Sequence, residues 1–545
     1  MHGAKLTEDF RNEPLILFAS GQNKIPGGNN KTPVMKFPWL IRSESYRRGT
    51  ALSVFFNILS KGILFLLTIV IARYFGSNIK TDIYFFVFGT MLLFSGFINN
   101  IDVAVLIPES MRIREKDGTE ASIAFLNFFG WIYFGIGLLF TVAMYFFGTT
   151  VFGFISKFSE ADISTYKNYF WAGSLFFIFH LLTNYINTVL TSLKYFSVPM
   201  LISSIKSMIA IVCIFLLKAD YDVMSVFLGG LVSYAINLLL LLYILKRSAG
   251  WNFRFRFGSI RKTVWHHVLF AELGQVATLA SSLFPLYLLS GFGSGVISLM
   301  NYGKNIADIP NTLVTTQFSN VSGIKLNEEV ARQDLHAMNE TFLKTTRLLV
   351  FMLVPMGFYL FVFATPLVEL FYQSRNFTPG AIKESAYFLK LLAITLFITG
   401  INTMVTRVFI AVQAIRQAFF YQVLLNVLLI AVTWVCTKNY GAYGYAYGIL
   451  IVNLVNYFGM YMVCKWLAPS IDYAALLTYC GIIILINAAI AAALYWYAGH
   501  VIAGSFGSAL TGFLIYIVIL LLLNKIFNLN TEFGQLIHHA GKRFF

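Results

Sequence analysis

Fourteen long apolar runs, separated by short charged or Gly/Pro-rich breaks, dominate this sequence, at roughly 48–76, 80–106, 122–150, 164–190, 193–217, 223–245, 264–290, 294–321, 342–371, 380–413, 417–437, 442–465, 472–498 and 503–527. A bilayer-crossing helix needs about 20 consecutive, mostly apolar residues, so each run is long enough to span a membrane. Lipid offers no partner to a bare backbone amide, and a helix satisfies all of its own. The expected fold is an all-α polytopic membrane protein with about 14 transmembrane helices. With 58% of residues hydrophobic and only 12% charged, little chain is left for a soluble domain.

The chain holds 40 Lys and Arg against 24 Asp and Glu, a formal charge of +16. In a soluble protein that excess would suggest nucleic acid. Between membrane spans it is first an orientation signal, because cytoplasmic loops are enriched in Lys and Arg. The two tails, the loops after even-numbered spans and the span ends that adjoin them hold 28 basic residues, and the opposite side holds 9. Both termini are therefore expected in the cytoplasm, and nucleic acid is not an expected partner. Lys61, Lys206 and Lys304 lie inside spans and count for neither side.

Residues 1–47 are polar and turn-rich, with no apolar stretch long enough for a signal peptide before Leu52, so insertion is expected through the first span. The four cysteines, Cys213, Cys436, Cys464 and Cys480, sit in apolar runs without CxxC spacing, which argues against disulfides and zinc. No G-x-x-x-x-G-K-[ST] string is present.

Shifting the first six spans by about 217 residues lays their starts near those of spans seven to twelve, and places Phe75-Gly76-Ser77 on Phe292-Gly293-Ser294. Six is even, so the halves would share one orientation, as in parallel-repeat transporters with a site between two lobes. The expected organisation is a cytoplasmic tail (1–47), a six-helix N-lobe (48–246), a basic linker (247–263), a six-helix C-lobe (264–466), two extra C-terminal helices (467–528) and a short tail (529–545).

Ionisable groups inside spans are costly and usually face an interior or a watery cavity. In the eighth span Asn301, Lys304, Asn305, Asp308, Thr312, Thr315 and Ser319 recur every three or four residues, which predicts one continuous polar stripe, bent near Pro310. Lys304 and Asp308, at i and i+4, are placed to pair. In the first span Asn57, Lys61 and Thr68 share a face, with Arg73 at the outer end. Lys61 either lines a cationic cavity or is neutralised by Asp102 or Glu272 of a neighbouring helix. The seventh span carries Glu272, Gln275, Thr278 and Ser282 on one face, and Glu272 is a candidate carboxylate for a coupling cation, Na⁺ or H⁺. Lys206 stands in a Ser-rich fifth span. A basic cavity of this kind suits an anionic headgroup, pyrophosphate above all. No catalytic triad or paired-carboxylate spacing is evident, so no enzyme activity and no bound cofactor beyond a coupling ion is expected.

The runs IVIARYFGSNIKTD (Ile69 to Asp82), VLIP (Val105 to Pro108), GVISLMNYGKNIADIP (Gly295 to Pro310) and LVPMGFYLFVFATPLVELFYQSRNFT (Leu353 to Thr378) resemble spans one, two, eight and nine of the MurJ (MviN) lipid II flippases. That family belongs to the multidrug/oligosaccharidyl-lipid/polysaccharide exporter superfamily, built as two six-helix lobes around a cavity. The resemblance implies alternating access for an undecaprenyl-pyrophosphate-linked glycan, with membrane lipids as the other partner and a lipid-tail groove on the last two spans. Lys61 matches a basic cavity position of the family and Asp82 its acidic partner. Leu67, Ser95 and Asn305 stand where arginine is usual, with Lys304 one residue from the last.

The candidate headgroup residues are therefore Lys61, Lys304, Lys206, Asn305, Asn57 and Arg73, and the candidate coupling or gating residues are Glu272, Asp308, Asp82 and Asp102. Lipid II is the expected cargo. A Wzx-like exporter of O-antigen, capsule or exopolysaccharide units shares the fold, and a cation-coupled multidrug antiporter is a more distant rival.

Overall fold

The computed structural model describes residues 46–535 except 194, 196, 249, 254–260 and 502–504. Most of the expected N-terminal tail, about half of the basic linker and the end of the C-terminal tail lie outside the described residues.

Helix α1 (Tyr46–Phe75) runs from one end of the molecule, here the near end, to the far end. Helix α2 (Ile79–Ile101) returns and passes through a five-residue π-helical turn (Asp102–Leu106) into α3 (Ile107–Asp117). The first half is completed by α4 (Thr119–Ile155), a short α5 (Glu160–Thr165), α6 (Lys167–Ser192), α7 (Ser197–Tyr221) and α8 (Met224–Ser248). In the second half α9 (Lys262–Leu289) is followed by α10 (Val296–Pro310), which passes through its own π turn (Asn311–Thr315) into α11 (Thr316–Ala331). Then come α12 (Leu335–Val362), a short α13 (Ala364–Tyr372), α14 (Pro379–Ala393) continued by α15 (Leu396–Ala411), α16 (Ile415–Tyr440) and α17 (Gly444–Leu467). Helices α18 (Tyr473–Val501) and α19 (Ser505–Phe527) end the described chain's membrane part.

Taken as continuous rods, these elements make fourteen membrane-length helices among the described residues. Twelve segments are both long and apolar enough to cross a bilayer, and one of them, Arg416–Leu467, holds two helices. The α10–α11 rod falls short of that measure because of its polar residues. The chain is a multi-pass, all-α membrane protein. Its halves are related by a parallel repeat: α1 and α9 start 216 residues apart, α2 and α10 start 217 apart, and the second rod of each half contains a π turn.

Pro310 produces a π turn rather than a simple bend. Proline has no N–H, so the backbone ladder is interrupted there, and the widened turn accommodates one extra residue. That residue rotates the following helix by about 100°. The single stripe expected along this rod is consequently split. Asn305, Asp308 and Thr312 face a cavity, whereas at the two ends of the turn Asn311 donates to Thr399 Oγ1 at 2.6 Å and Thr315 to Asn311 Oδ1 at 2.9 Å. Thr315 and Ser319 are buried within the C-lobe.

The core follows the same division. One hydrophobic cluster runs from Ile71, Tyr84 and Phe86 in the N-lobe through Tyr302, Tyr372 and Phe377 in the C-lobe, so the lobes share a core toward the far end. A second cluster around Phe342, Leu353, Met404 and Cys464 joins the C-lobe to α18 through Tyr473, Leu476 and Cys480 and to α19 through Leu520.

Candidate functional site

At the far end the lobes are clasped by backbone groups. Gly76 closes α1 with a φ of +66°, and Asn78 begins α2 with a reciprocal capping box to Thr81. This tight corner delivers Asp82, in the first turn of α2, to the start of α10. There Gly295 sits at φ +98° and offers no side chain as a cap. Asp82 supplies one from the other lobe: Oδ2 accepts from the Gly295 N–H at 2.6 Å, and Oδ1 from the Ser298 N–H at 2.7 Å and the Ser298 hydroxyl at 2.6 Å. One buried carboxylate thus serves the positive ends of two helices. Tyr302 donates to Gly76 O at 2.9 Å, and Asn376 Nδ2 donates to Tyr74 O at 2.6 Å. A Cβ on Gly76 would overlap the Asn376 carbonyl, so no other residue fits that corner.

Arg73 joins this clasp. Its Nε and Nη2 donate to the carbonyls of Phe371 and Leu370 at 2.8 and 2.9 Å, in the last turn of α13. A guanidinium there satisfies orphan C-terminal carbonyls and complements the helix dipole. The structure places Arg73 at the lobe closure, about 18 Å along α1 from Lys61.

Beneath the clasp α1 and the α10 rod stand apart around a cavity of about 320 Å³. Its lining includes Lys61, Thr68, Asn305, Asp308 and Thr312, with Ile58, Leu64, Phe65, Ile309 and Leu313 as apolar walls. Lys61 is exposed to this space and makes no ion pair among the described residues. Lys304 pairs with Asp308 at 2.7 Å, with 44% and 50% of the two side chains still accessible. Asp308 therefore lines the cavity while paired, and Lys304, its partner on the same helix, is not among the residues that line it. Asn57 lies one helical turn from Lys61 on α1 and is partly buried.

Lys206 is not brought to this cavity. It points into a separate small space of about 50 Å³ within the N-lobe, with its ammonium 3.9 Å above the Tyr234 ring. Leu64 of α1 lines both spaces.

Neither Asp102 nor Glu272 neutralises Lys61. Asp102 is fully buried and accepts from the Tyr133 hydroxyl at 2.6 Å and from Asn99 Nδ2 at 3.0 Å. Glu272 approaches it from α9 in the other lobe, and both Glu272 carboxylate oxygens are enclosed without a hydrogen-bond partner. Gln275, Thr278 and Ser282, on the same face of α9, line a cleft of about 170 Å³ against Leu92, Leu93, Gly96 and Phe97 of α2.

The family described as lipid II flippase MurJ matches residues 71–526, most of the chain. The chain belongs to the MurJ family. Among curated MurJ relatives, a probable lipid II flippase MurJ of Borreliella burgdorferi is 21% identical over 405 residues, covering 71% of this chain and 78% of its own. One of Bdellovibrio bacteriovorus is 20% identical over 226 residues, covering 40% and 43%. A solved lipid II flippase MurJ in an inward closed conformation superposes with a TM-score of 0.73 at 17% identity, over 88% of this chain and 98% of that one. An inward-facing multidrug transporter of the MATE family superposes with a TM-score of 0.60 at 14% identity, over 83% and 99%. At these identities the structures establish a shared fold.

Within this MurJ-family chain, sequence reasoning had no means of finding Gly295, Ser298, Tyr302 and Asn376. Ser298 meets Asp82 across 216 residues, and only the repeated Phe-Gly-Ser turn hinted that these corners are special. His180 was likewise not singled out. Its ring is buried, with Nδ1 2.7 Å from Ser95 Oγ.

Proposed function

We propose that this protein is a lipid II flippase of the bacterial inner membrane. It would carry an undecaprenyl-pyrophosphate-linked peptidoglycan precursor between leaflets by alternating access, breaking and forming no covalent bond. The observation that carries this reading is the cavity between α1 and α10, where Lys61 faces open space without a counter-ion among the described residues, beneath a sealed far end. Lys61 would meet a phosphate as a point charge with three donors. Lys304 would exchange part of its bond to Asp308 for a second phosphate oxygen, and Asn305 would add a donor beside it. The apolar walls suit a headgroup that arrives attached to hydrocarbon, and α18 and α19, packed on α12 and α13, would guide the lipid tail.

The side to which the sequence assigns 28 of the 40 basic residues is read as cytoplasmic, with both termini there. The cavity would then load from the inner leaflet while the Asp82 clasp keeps the outer side closed. A cation, Na⁺ or H⁺, or the membrane potential would drive the return. The test is translocation of fluorescent lipid II in proteoliposomes, paired with rescue of a MurJ-depleted cell. The wild-type chain should do both and Lys61→Ala neither. A wild-type chain that does neither ends the reading.

A further inference from the structure

Asp102 and Glu272 are enclosed carboxylates on the two elements that meet at the lobe boundary, the π turn after α2 and helix α9. Asp102 opens the π turn that follows α2, and α9 packs along both α2 and that turn. Asp102 has two donors, Tyr133 and Asn99, on its own lobe. Glu272 has none, although neither of its oxygens is open to the surface. The other titratable groups around the pair are Tyr133 of α4 and Tyr185 of α6. Behind Asn99 the chain of contacts continues through Ser95 to His180, which is 2.7 Å from Ser95 and next to Lys206 of α7. From α16 the groups bonded to α9 are Asn426 and, through it, Gln422, neither of them titratable. No cation faces either carboxylate among the described residues.

Two ionised carboxylates enclosed together without a counter-cation repel strongly, and one shared proton removes that repulsion. A group with no acceptor-satisfying donor, enclosed and facing a second carboxylate, is suited to hold that proton as its own donor hydrogen. The cleft lined by Gln275, Thr278 and Ser282 lies within a helical turn of Glu272 and is wide enough for several waters, so a route for the proton adjoins the pair. We propose that Asp102 and Glu272 share one proton, and that its gain or loss makes or breaks the contact of α9 with α2, so that protons are the ions coupled to lobe movement. This deepens the flippase reading and rests on it only for what the movement carries.

The step is a simple protonation: water in the cleft delivers H⁺ to Glu272, which donates it in a hydrogen bond to Asp102. On loss of that proton to water the two anions push the lobes apart. The contact therefore persists at low pH and is released as pH rises.

The first arm of the test uses no lipid substrate. Spin labels at Met111→Cys and Phe270→Cys, both exposed positions, in a background lacking the four native cysteines, report the separation of α3 from α9 in nanodiscs. Between about pH 5 and about pH 9 the wild type should shift toward longer distances, while Glu272→Gln and Asp102→Asn stay short at every pH. A pH-invariant wild type overturns the proposal, as does a neutral variant that shifts like the wild type. If one variant fails to fold, the other variant and the wild type still decide. In the second arm an outside-acid pH gradient, with potential clamped, should accelerate lipid II translocation by the wild type and leave Glu272→Gln unaffected. A pH-shifting protein that moves no lipid II would overturn the flippase reading and leave the proton switch standing.

Discussion

Asp82 and Asp102 lie twenty residues apart on one continuous rod, both buried and both on the boundary between the lobes. From the opposite lobe Asp82 receives two backbone N–H groups and a hydroxyl, and Asp102 receives another carboxylate. The first arrangement is complete as it stands, since every donor aimed at the carboxylate exists in the ionised state. The second is complete only with a proton. One residue type at two depths thus makes an unconditional clasp and a conditional one, and the difference comes entirely from what α10 and α9 present.

The most severe break in that comparison targets the unconditional clasp through its backbone. Gly76→Ala would put a Cβ into the Asn376 carbonyl at a left-handed φ, disfavouring the closed far end by at least about 3 kcal/mol. Rescue of a MurJ-depleted cell should be lost, and a cysteine at Ser77 should react with an impermeant reagent from outside whether or not substrate is present. The same change of Asp to Asn at the two positions should then give opposite signs. Asp82→Asn removes the charge serving two helix starts and should cost about 2 to 4 kcal/mol in thermal unfolding in nanodiscs. Asp102→Asn should cost nothing or stabilise. Equal losses at both would erase the distinction.

Lys61 separates structure from function more finely. Lys61→Ala should leave the unfolding midpoint unchanged, because the side chain holds nothing in the fold, while lipid II affinity falls about 10- to 100-fold. Lys61→Arg should retain most of the affinity. The smallest effect is expected at Lys206, which lies outside the cavity: Lys206→Met should change lipid II affinity by no more than about twofold.

Much of this was legible in the sequence because it is written in local patterns. Spans follow from apolar runs, and the pair Lys304–Asp308 from i,i+4 spacing. The lobe repeat was legible from start positions alone. What the sequence could not carry was the pairing of distant elements. Asp82 was recognisable as a polar residue after the first loop, yet its partners follow more than 210 residues later and two of them are backbone amides, which leave no side-chain signature. Lys206 in an apolar run announced a buried cation, but the face it occupies depends on how α7 packs inside the N-lobe. The stripe on the α10 rod holds from Asn305 through Asp308 to Thr312 and fails at Thr315 and Ser319, where the helix has taken in one extra residue.

That extra residue has a consequence for how such a chain tolerates change in length. A single deletion inside a transmembrane helix ordinarily turns everything beyond it by about 100° and exposes the wrong face to lipid. Within Asn311–Thr315 the helix already carries a surplus position, so removing one residue there would restore α-helical winding. The surplus rotation would leave with the surplus residue, so α11 would keep its facing, with Ser319 and Ser322 still in the C-lobe interior. The π turn is in effect an insertion that the fold has put to use: it lets one rod show its polar residues to two different neighbours.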